Sequence, residues 1–241
     1  MNQTFFISDL HLQKSSKAAT RTFLDWLATI APGSDAVYIL GDLFEAWIGD
    51  DDNSAYNQKI IAALRTLSDC GTKLYFIHGN RDFILGEKFA SAAGVTLLPE
   101  HTVIDLYGTP TLIMHGDTLC TYDTRYQELR KTRPKYIRMS LEMPLWQKKI
   151  LVRIYRLRSL LRGKIQSNMI MDVAPETVTA LMEQYHVQHL IHGHTHRSAV
   201  HQLTINNLPA TRTVLGAWEK RANMLRCTPN GQSLEFFEFK E

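Results

Sequence analysis

Five short apolar runs in this chain end in the same way. Thr4 to Ile7 runs into Asp9-x-His11, Ala36 to Leu40 into Gly41-Asp42, and Lys73 to Ile77 into Gly79-Asn80. Thr111 to Met114 runs into His115-Gly116, and Val187 to Ile191 into Gly193-His194-x-His196. Near-continuous apolar runs of this length predict strands covered on both faces. In sheets of that kind the carboxyl ends of the strands gather ligands, so these polar ends are expected to converge on one edge. Together they offer two Asp, one Asn and four His, more than one ion with room for a substrate needs. The set suits two ions that share a bridging carboxylate. Mixed oxygen and imidazole ligands favour Mn, Fe or Zn over Mg or Ca.

Taken singly, each position has a plainer reading. Asp9 or Asp42 can cap a helix, and a lone His115 can be a hydrogen-bonded, partly buried side chain. His192, His194 and His196 alternate, so they share one direction as far as the strand geometry lasts. That pattern fits a metal site or a polar loop rich in histidine. The common ending of five runs in order is what favours the metal.

The chain around these runs alternates helices and strands and then turns to strands alone. Helical spacing covers Thr20 to Ile30, Asn53 or Ser54 can cap a helix through Leu67, and Phe83 to Ala93 reads as helical up to Gly94. Val103 to Tyr107 pairs with Thr111 to Met114, and Pro175 can open a helix toward Tyr185. Four strands are expected at Ala199 to Ile205, Ala210 to Leu215, Arg221 to Cys227 and Leu234 to Phe239. The pattern predicts an α/β or mixed layered sheet with helices outside. Three cysteines without CxxC spacing argue against a disulfide framework and fit a reducing cytosol. No signal peptide is apparent, and no apolar run approaches the length of a membrane span.

The net charge of +3 hides an asymmetry. From Arg125 to Lys164 there are thirteen Lys or Arg and two acids, whereas the remainder carries 14 basic and 22 acidic residues. An acidic body with one basic segment is expected to meet phosphates, of nucleic acid, of a membrane surface or of a substrate. Helical spacing there covers Tyr122 to Arg133 and, after Pro144, Leu145 to Leu161. In the second stretch Leu145, Trp146, Ile150, Leu151, Ile154, Leu157, Leu160 and Leu161 alternate with Arg and Lys. Such a helix can pack on the body or present an apolar face to a membrane or acyl chain.

Asp9-x-His11, Gly41-Asp42, Gly79-Asn80-Arg81-Asp82, His115-Gly116 and Gly193-His194-x-His196 resemble the five blocks of the calcineurin-like metallophosphoesterases, in family order. The resemblance implies an α/β (α+β) fold, a four-layer αββα sandwich in one domain over residues 1–241, with a basic helical lid inserted at 122–170. It implies one ion held by Asp9, His11, Asp42 and His196, and another by Asp42, Asn80, His115 and His194, with Asp42 bridging. Catalytic roles fall to Asp42, Asn80, Arg81 and His194. Arg81 departs from the histidine most of the family carries there. Arginine is a poor general acid but holds phosphate oxygens well, which suits a leaving group already stable as an anion, as in a pyrophosphate.

Longer blocks, Tyr38 to Asp51, Phe76 to Phe83, Leu112 to Cys120, Ile170 to Val173 and Leu215 to Trp218, resemble the branch that hydrolyses UDP-2,3-diacylglucosamine in bacterial lipid A synthesis. That implies attack at the α-phosphorus, UMP and 2,3-diacylglucosamine 1-phosphate as products, and two Mn²⁺ per chain, with Fe or Zn as alternatives. It also implies a monomer lying peripherally on the cytoplasmic face of the inner membrane, without nucleic acid. Substrate contacts are implied for Asn80, Arg81, Asp123, Ser159, Gly163, Gln166 and His194. Gly163 and Gln166 stand where the branch tends to have Asn and Lys, and Arg162 and Lys164 lie close enough to compensate. His192, His78 and Asp82 are expected to fix backbone or ligand geometry, and Asp50-Asp51-Asp52 to mark a helix start. The rival functions are a phosphodiesterase acting on cyclic nucleotides or nucleic acid at the same centre, and a binding module that has lost the chemistry.

Overall fold

The computed structural model describes residues 2–162 and 172–240, the side chains of 155–162 excepted. The first sheet is built on four parallel strands, β1 (Thr4–Ile7), β2 (Ala36–Leu40), β3 (Lys73–Ile77) and β4 (Val95–Leu97). In the second sheet β5 (Thr102–Leu106), β6 (Thr109–Ile113), β7 (His189–His192), β8 (Ala199–Ile205) and β9 (Leu208–Val214) lie in the order β5-β6-β7-β9-β8. Two C-terminal strands, β10 (Ala222–Thr228) and β11 (Gly231–Phe237), return to the first sheet beside β1, antiparallel to it and to each other. The sequence reading found every strand except β4, whose three residues are too few to show a pattern.

Alternation along the strands sets the layers. Phe5, Ile7, Val37, Ile39, Leu74 and Phe76 face α1 (Lys17–Thr29), α2 (Ala55–Asp69) and α3 (Glu87–Ala93), packing on Phe23, Trp26, Ile60, Leu64 and Phe89. Phe6, Leu40 and Ile77 point the other way, onto Ile113 and Ile191 of the second sheet. The outer face of that sheet, with Leu112 and Leu190, is covered by Val178 and Met182 of α7 (Pro175–Gln184). The result is helix, sheet, sheet, helix: the four-layer α/β arrangement the sequence implied. Parallel register places the ends of β1, β2 and β3 level, Ile7 against Ile39 and Leu40 against Ile77. In the second sheet Ile113 of β6 lies against Ile191 of β7.

Three helices fill the basic segment: α4 (Thr124–Lys131), α5 (Arg133–Glu142) and α6 (Leu145–Arg162). The helix expected to reach Arg133 instead stops at Thr132, because Pro134 has no N–H to continue it and serves in the first turn of α5. Met143, before Pro144, is extended (φ −86°, ψ 133°) and separates α5 from α6. The Asp123 side chain opens α4 by accepting from Tyr126 N at 2.9 Å. Trp146, Ile150, Leu151 and Ile154 of α6 are exposed. Among the described residues no helix is long and apolar enough to cross a membrane.

Candidate metal centre

The loops that leave the strands are tied to one another before any side chain is considered. Asp9 N donates to Gly41 O (3.1 Å), His11 N to Asp42 O (3.0 Å) and Leu12 N to Leu43 O (2.9 Å), which zips the ends of β1 and β2 together. Gly193 N donates to His115 O (2.8 Å) in the second sheet. His194 N donates to Asp9 Oδ2 (2.8 Å) and closes the seam between the sheets. Asp9, His11, Asp42, His194 and His196 all hold positive φ, between 48° and 68°. Residues other than glycine adopt that region at a cost on the order of 1 kcal/mol or more each. Five such residues in one cleft mark it as a place where side-chain aim has outweighed backbone comfort.

The aimed atoms form two groups about Asp42. In the first, His11 Nε2 and His196 Nε2 face each other at 3.3 Å. Asp9 Oδ1 lies 3.4 Å from His196 Nε2 and 3.9 Å from His11 Nε2, and Asp42 Oδ2 lies 3.8 Å from His11 Nε2. In the second, His115 Nε2 stands 3.0 Å from Asn80 Oδ1, 3.2 Å from His194 Nδ1 and 3.8 Å from Asp42 Oδ1. Asn80 Oδ1 is 2.9 Å from His194 Nδ1. One oxygen of Asp42 therefore faces each group. All seven predicted ligands are brought together in this cleft, with Asp9 close enough to group with Asp42 and His115 as well as with His11 and His196.

The donor chemistry fits cations. His115 Nδ1 is 2.8 Å from Leu40 O, which can only accept, so that nitrogen carries the proton and Nε2 is left for the cleft. Packed as they are, Asn80 Oδ1 and the two ring nitrogens repel one another unless a proton or a cation stands between them. Asp9 Oδ1 is buried without an aligned hydrogen-bond partner. Burial pushes Asp42 up to about 6, against the pull of His115. For Asp9 burial acts in the same sense, but His196, His115 and His11 outweigh it and hold the carboxyl below its usual range. Burial would lower His115, yet Asp42 and Asp9 carry it up to about 9. The two buried carboxylates thus demand positive charge, which divalent ions among these atoms would supply.

The glycines beside the ligands are there for room. A Cβ on Gly79 would lie 2.1 Å from Asp42 Oδ1, and one on Gly193 would lie 2.3 Å from Asp9 Oδ2. Asp82, fully buried, holds the two strand ends by accepting from Gly79 N (2.9 Å) and Leu43 N (2.8 Å). His192 is the last residue of β7, and the alternation stops there. Its Nδ1–H donates to Gly193 O (2.8 Å) and Arg212 donates to its Nε2 (3.1 Å). Burial, with Arg212, lowers it to about 3, so it is a neutral support for the turn. His78 likewise reaches a backbone oxygen, that of Leu85, at 2.7 Å.

The other predicted residues are placed as follows. Arg81 lies at the rim, its N donating to Asp42 Oδ1 (2.8 Å) and its NH1 lying 3.4 Å from Glu45 Oε1. Asp123 is the cap of α4. The side chain of Ser159, and Arg162, Lys164, Gly163 and Gln166 as side chains or whole residues, lie outside the described part of the chain. The Asp50-Asp51-Asp52 expectation needs correcting. Ser54 caps α2, whereas Asp50 reaches across to accept from Gly86 N, Lys88 N and Phe89 N at the start of α3. Asp51 pairs with the buried Lys148 of α6 at 2.8 Å.

Sequence reasoning missed Asp117, Tyr126 and the acids Glu45 and Glu219. Buried Asp117 accepts from Tyr126 Oη, Arg130 Nε (3.1 Å) and Arg133 NH2 (2.8 Å), anchoring α4 and α5 to the loop after β6. The Tyr126 ring stacks on His194, centroids 6.1 Å apart. Glu45 Oε2 lies 3.1 Å from His11 Nδ1, and Glu219 Oε1 lies 3.3 Å from His196 Nδ1.

Comparison with known proteins places the chain in a family. The calcineurin-like phosphoesterase family matches residues 3–198. UDP-2,3-diacylglucosamine hydrolase of Enterobacter sp. (strain 638) is 49% identical over 238 residues, which cover 98% of this chain and 99% of that protein. The protein of the same name from Salmonella paratyphi B (strain ATCC BAA-1250 / SPB7) is 49% identical over 236 residues, 97% and 98% of the two chains. Among solved structures, vacuolar protein sorting 29 from Cryptosporidium parvum aligns with 100% of this chain and 98% of its own at a TM-score of 0.49 and 14% identity. Because the family match runs through all five strand ends and the named relatives are alike along nearly the whole length, this chain belongs to the calcineurin-like phosphoesterase family and is a hydrolase of the branch those relatives form.

Proposed function

We propose that the protein hydrolyses the pyrophosphate of UDP-2,3-diacylglucosamine to UMP and 2,3-diacylglucosamine 1-phosphate, a step of lipid A synthesis. The observation that carries this reading is Asp42, whose two oxygens each face a separate nest of imidazoles 3.8 Å away. In this reading Asp9, His11, Asp42 and His196 hold one ion, and Asp42, Asn80, His115 and His194 the other. The donor set suits Mn²⁺, with Fe or Zn as alternatives. When bound, two such ions supply the positive field that draws in a diphosphate and makes a water nucleophilic near neutral pH.

The chain's own residues do the rest. Water oxygen joins the α-phosphorus, the bond from that phosphorus to the bridging oxygen breaks, and the sugar 1-phosphate leaves with that oxygen. Arg81, at the rim, holds phosphate oxygens and stabilises the departing phosphate, so no general acid is needed at its place. His194 and Asn80 border the position of the α-phosphate. The leaving group, already a stable anion, is what makes arginine adequate here.

Helices α4 to α6, within the inserted stretch 122–170, act as the lid. Support comes from Tyr126 over His194, from the Asp117 anchor at one end and from the Lys148–Asp51 pair at the other. Asp123, Ser159, Gly163 and Gln166, with Arg162 and Lys164, belong to the substrate-facing part of that lid in this reading. Exposed Trp146, Ile150, Leu151 and Ile154 among lysines and arginines suit an acyl chain and the anionic surface of the inner membrane, on its cytoplasmic face. All seven proposed ligands come from one chain, so a monomer is complete.

Incubating the protein with UDP-2,3-diacylglucosamine and Mn²⁺ in H₂¹⁸O tests this. The expected result is UMP carrying the label. Label in the sugar phosphate would refute attack at the α-phosphorus. No turnover, with cleavage of cyclic nucleotides or single-stranded DNA instead, would replace the substrate.

A further inference from the structure

Glu45 sits three residues beyond the bridging carboxylate and has no part in the ligand set. Its backbone is fixed from the other strand end: Glu45 N donates to Leu12 O at 3.1 Å, beside a parallel bridge between Leu12 and Phe44. That tie holds Glu45 against the loop carrying His11. Its two carboxylate oxygens then go to different places. Oε2 lies 3.1 Å from His11 Nδ1, and Oε1 lies 3.4 Å from Arg81 NH1. His11 in turn directs Nε2 at Asp9, Asp42 and His196. The contact to His11 has ion-pair distance without hydrogen-bond alignment, so a small turn of the ring completes it.

The two nests differ in this respect. In the first nest the nitrogens remote from the cleft lie beside carboxylates: Glu45 at His11 and Glu219 at His196. In the second nest, His115 rests on a backbone carbonyl. A carboxylate behind a ligating imidazole fixes the ring and makes it a better donor, and its loss typically weakens metal affinity about 10–100-fold. Glu219 is mostly exposed, whereas Glu45 is four-fifths buried and also lies against Arg81. Arginine held by a carboxylate on one side keeps its remaining N–H groups directed elsewhere.

We infer that Glu45 is a positioning residue, which ties the His11 imidazole to the Arg81 guanidinium so that one ion nest and the phosphate-holding arm are set together. The inference rests on the two-ion reading given above. Its alternative is an acid at the cleft rim that merely balances nearby bases and affects each independently.

Two measurements separate them. The first is calorimetric titration of the metal-stripped full chain with Mn²⁺ alone, for wild type, Glu45→Ala and Glu45→Gln. Wild type should take up two ions. Glu45→Ala should weaken one of them about 10–100-fold and leave the other unchanged, with partial recovery in Glu45→Gln, whose amide oxygen can still accept. The second is KM for UDP-2,3-diacylglucosamine at saturating Mn²⁺ in Glu45→Ala, Arg81→Ala and the double variant. The tie predicts that the KM effect of Glu45→Ala disappears when Arg81 is already alanine. Two ions in wild type with an unchanged Glu45→Ala isotherm, or the same KM effect in both backgrounds, overturns the inference alone. Fewer than two ions in wild type overturns the two-ion reading and the inference with it. If Glu45→Ala fails to fold by circular dichroism, the isotherm and KM cycle of Glu45→Gln decide in its place, on the same criteria.

Discussion

Gly79→Ala is a small change that reaches the centre without replacing a ligand. The φ angle of Gly79 lies outside the left-handed region, so alanine meets no backbone objection there. The objection is spatial. Its Cβ would stand 2.1 Å from Asp42 Oδ1, 2.4 Å from Asp42 N and 2.9 Å from Asp42 Cγ. Ordinary contact begins near 3.4 Å, so the ends of β2 and β3 must part by about 1 Å. Asp82 resists, because it accepts from both strand ends at once. Overpacking of this kind costs about 1–3 kcal/mol, which for a chain of this size is a fall in Tm of about 2–12 °C. Function should suffer more, since a misplacement of about 1 Å at a reacting centre can cost about 100-fold. UMP release at saturating Mn²⁺ and a thermal melt read both quantities. A kcat/KM within threefold of wild type in a folded variant would refute the claim that Asp42 is held to ångström tolerance.

Other perturbations should give distinct signatures. Asp117→Asn leaves Arg130 and Arg133 facing a neutral group, and should cost about 2–3 kcal/mol once their partial exposure is allowed for, read as a lower Tm. Although burial acts to raise it, His115 and Arg133 hold the Asp117 carboxyl below its usual range. Its contribution is therefore full above the ordinary carboxylate pKa and lost as pH falls through the depressed one, so the Tm gap between wild type and variant should close in acid. Lys148→Ala removes the Asp51 contact of α6 without reaching the centre. It should raise KM for the lipid substrate about fivefold, the equivalent of ~1 kcal/mol, with unchanged Mn²⁺ stoichiometry. Chelation should lower Tm and returned Mn²⁺ should restore it, by about 4 kcal/mol per site at a thousandfold excess over Kd; a Tm indifferent to both would argue against folded-state ion sites.

The strand ends were legible because covered strands are short apolar runs, and a polar residue directly after one stands out. All seven proposed ligands sat at such ends; the runs themselves gave a layered α/β sheet with helices outside, and the two-sheet sandwich came from the family resemblance. What escaped reading depends on partners far away in sequence. Asp50 looks like a local helix start, yet besides Trp47 Nε1 it accepts from Gly86, Lys88 and Phe89 far along the chain. Asp117 carries no signal in its local sequence, and only the folded segment after it shows two arginines and a tyrosine on one of its oxygens. Glu45 and Glu219 lie beside imidazoles brought near by the fold, a relation no spacing rule encodes. The break at Thr132 was visible in Pro134, but helical periodicity on both sides masked it. The first imidazole of the alternating triplet, His192, is separated from the other two by backbone geometry: β7 ends at His192, and His194 and His196 turn left-handed beyond it.

In the proposed centre one carboxylate, Asp42, joins two ion nests built from the ends of five strands. Counting metal per chain tests it directly, by elemental analysis of the protein after loading with Mn²⁺ and removal of the excess. Wild type should carry two ions, His196→Ala and His115→Ala one each, and Asp42→Ala neither at full occupancy. One ion in wild type, or two retained by a folded Asp42→Ala, would contradict the account.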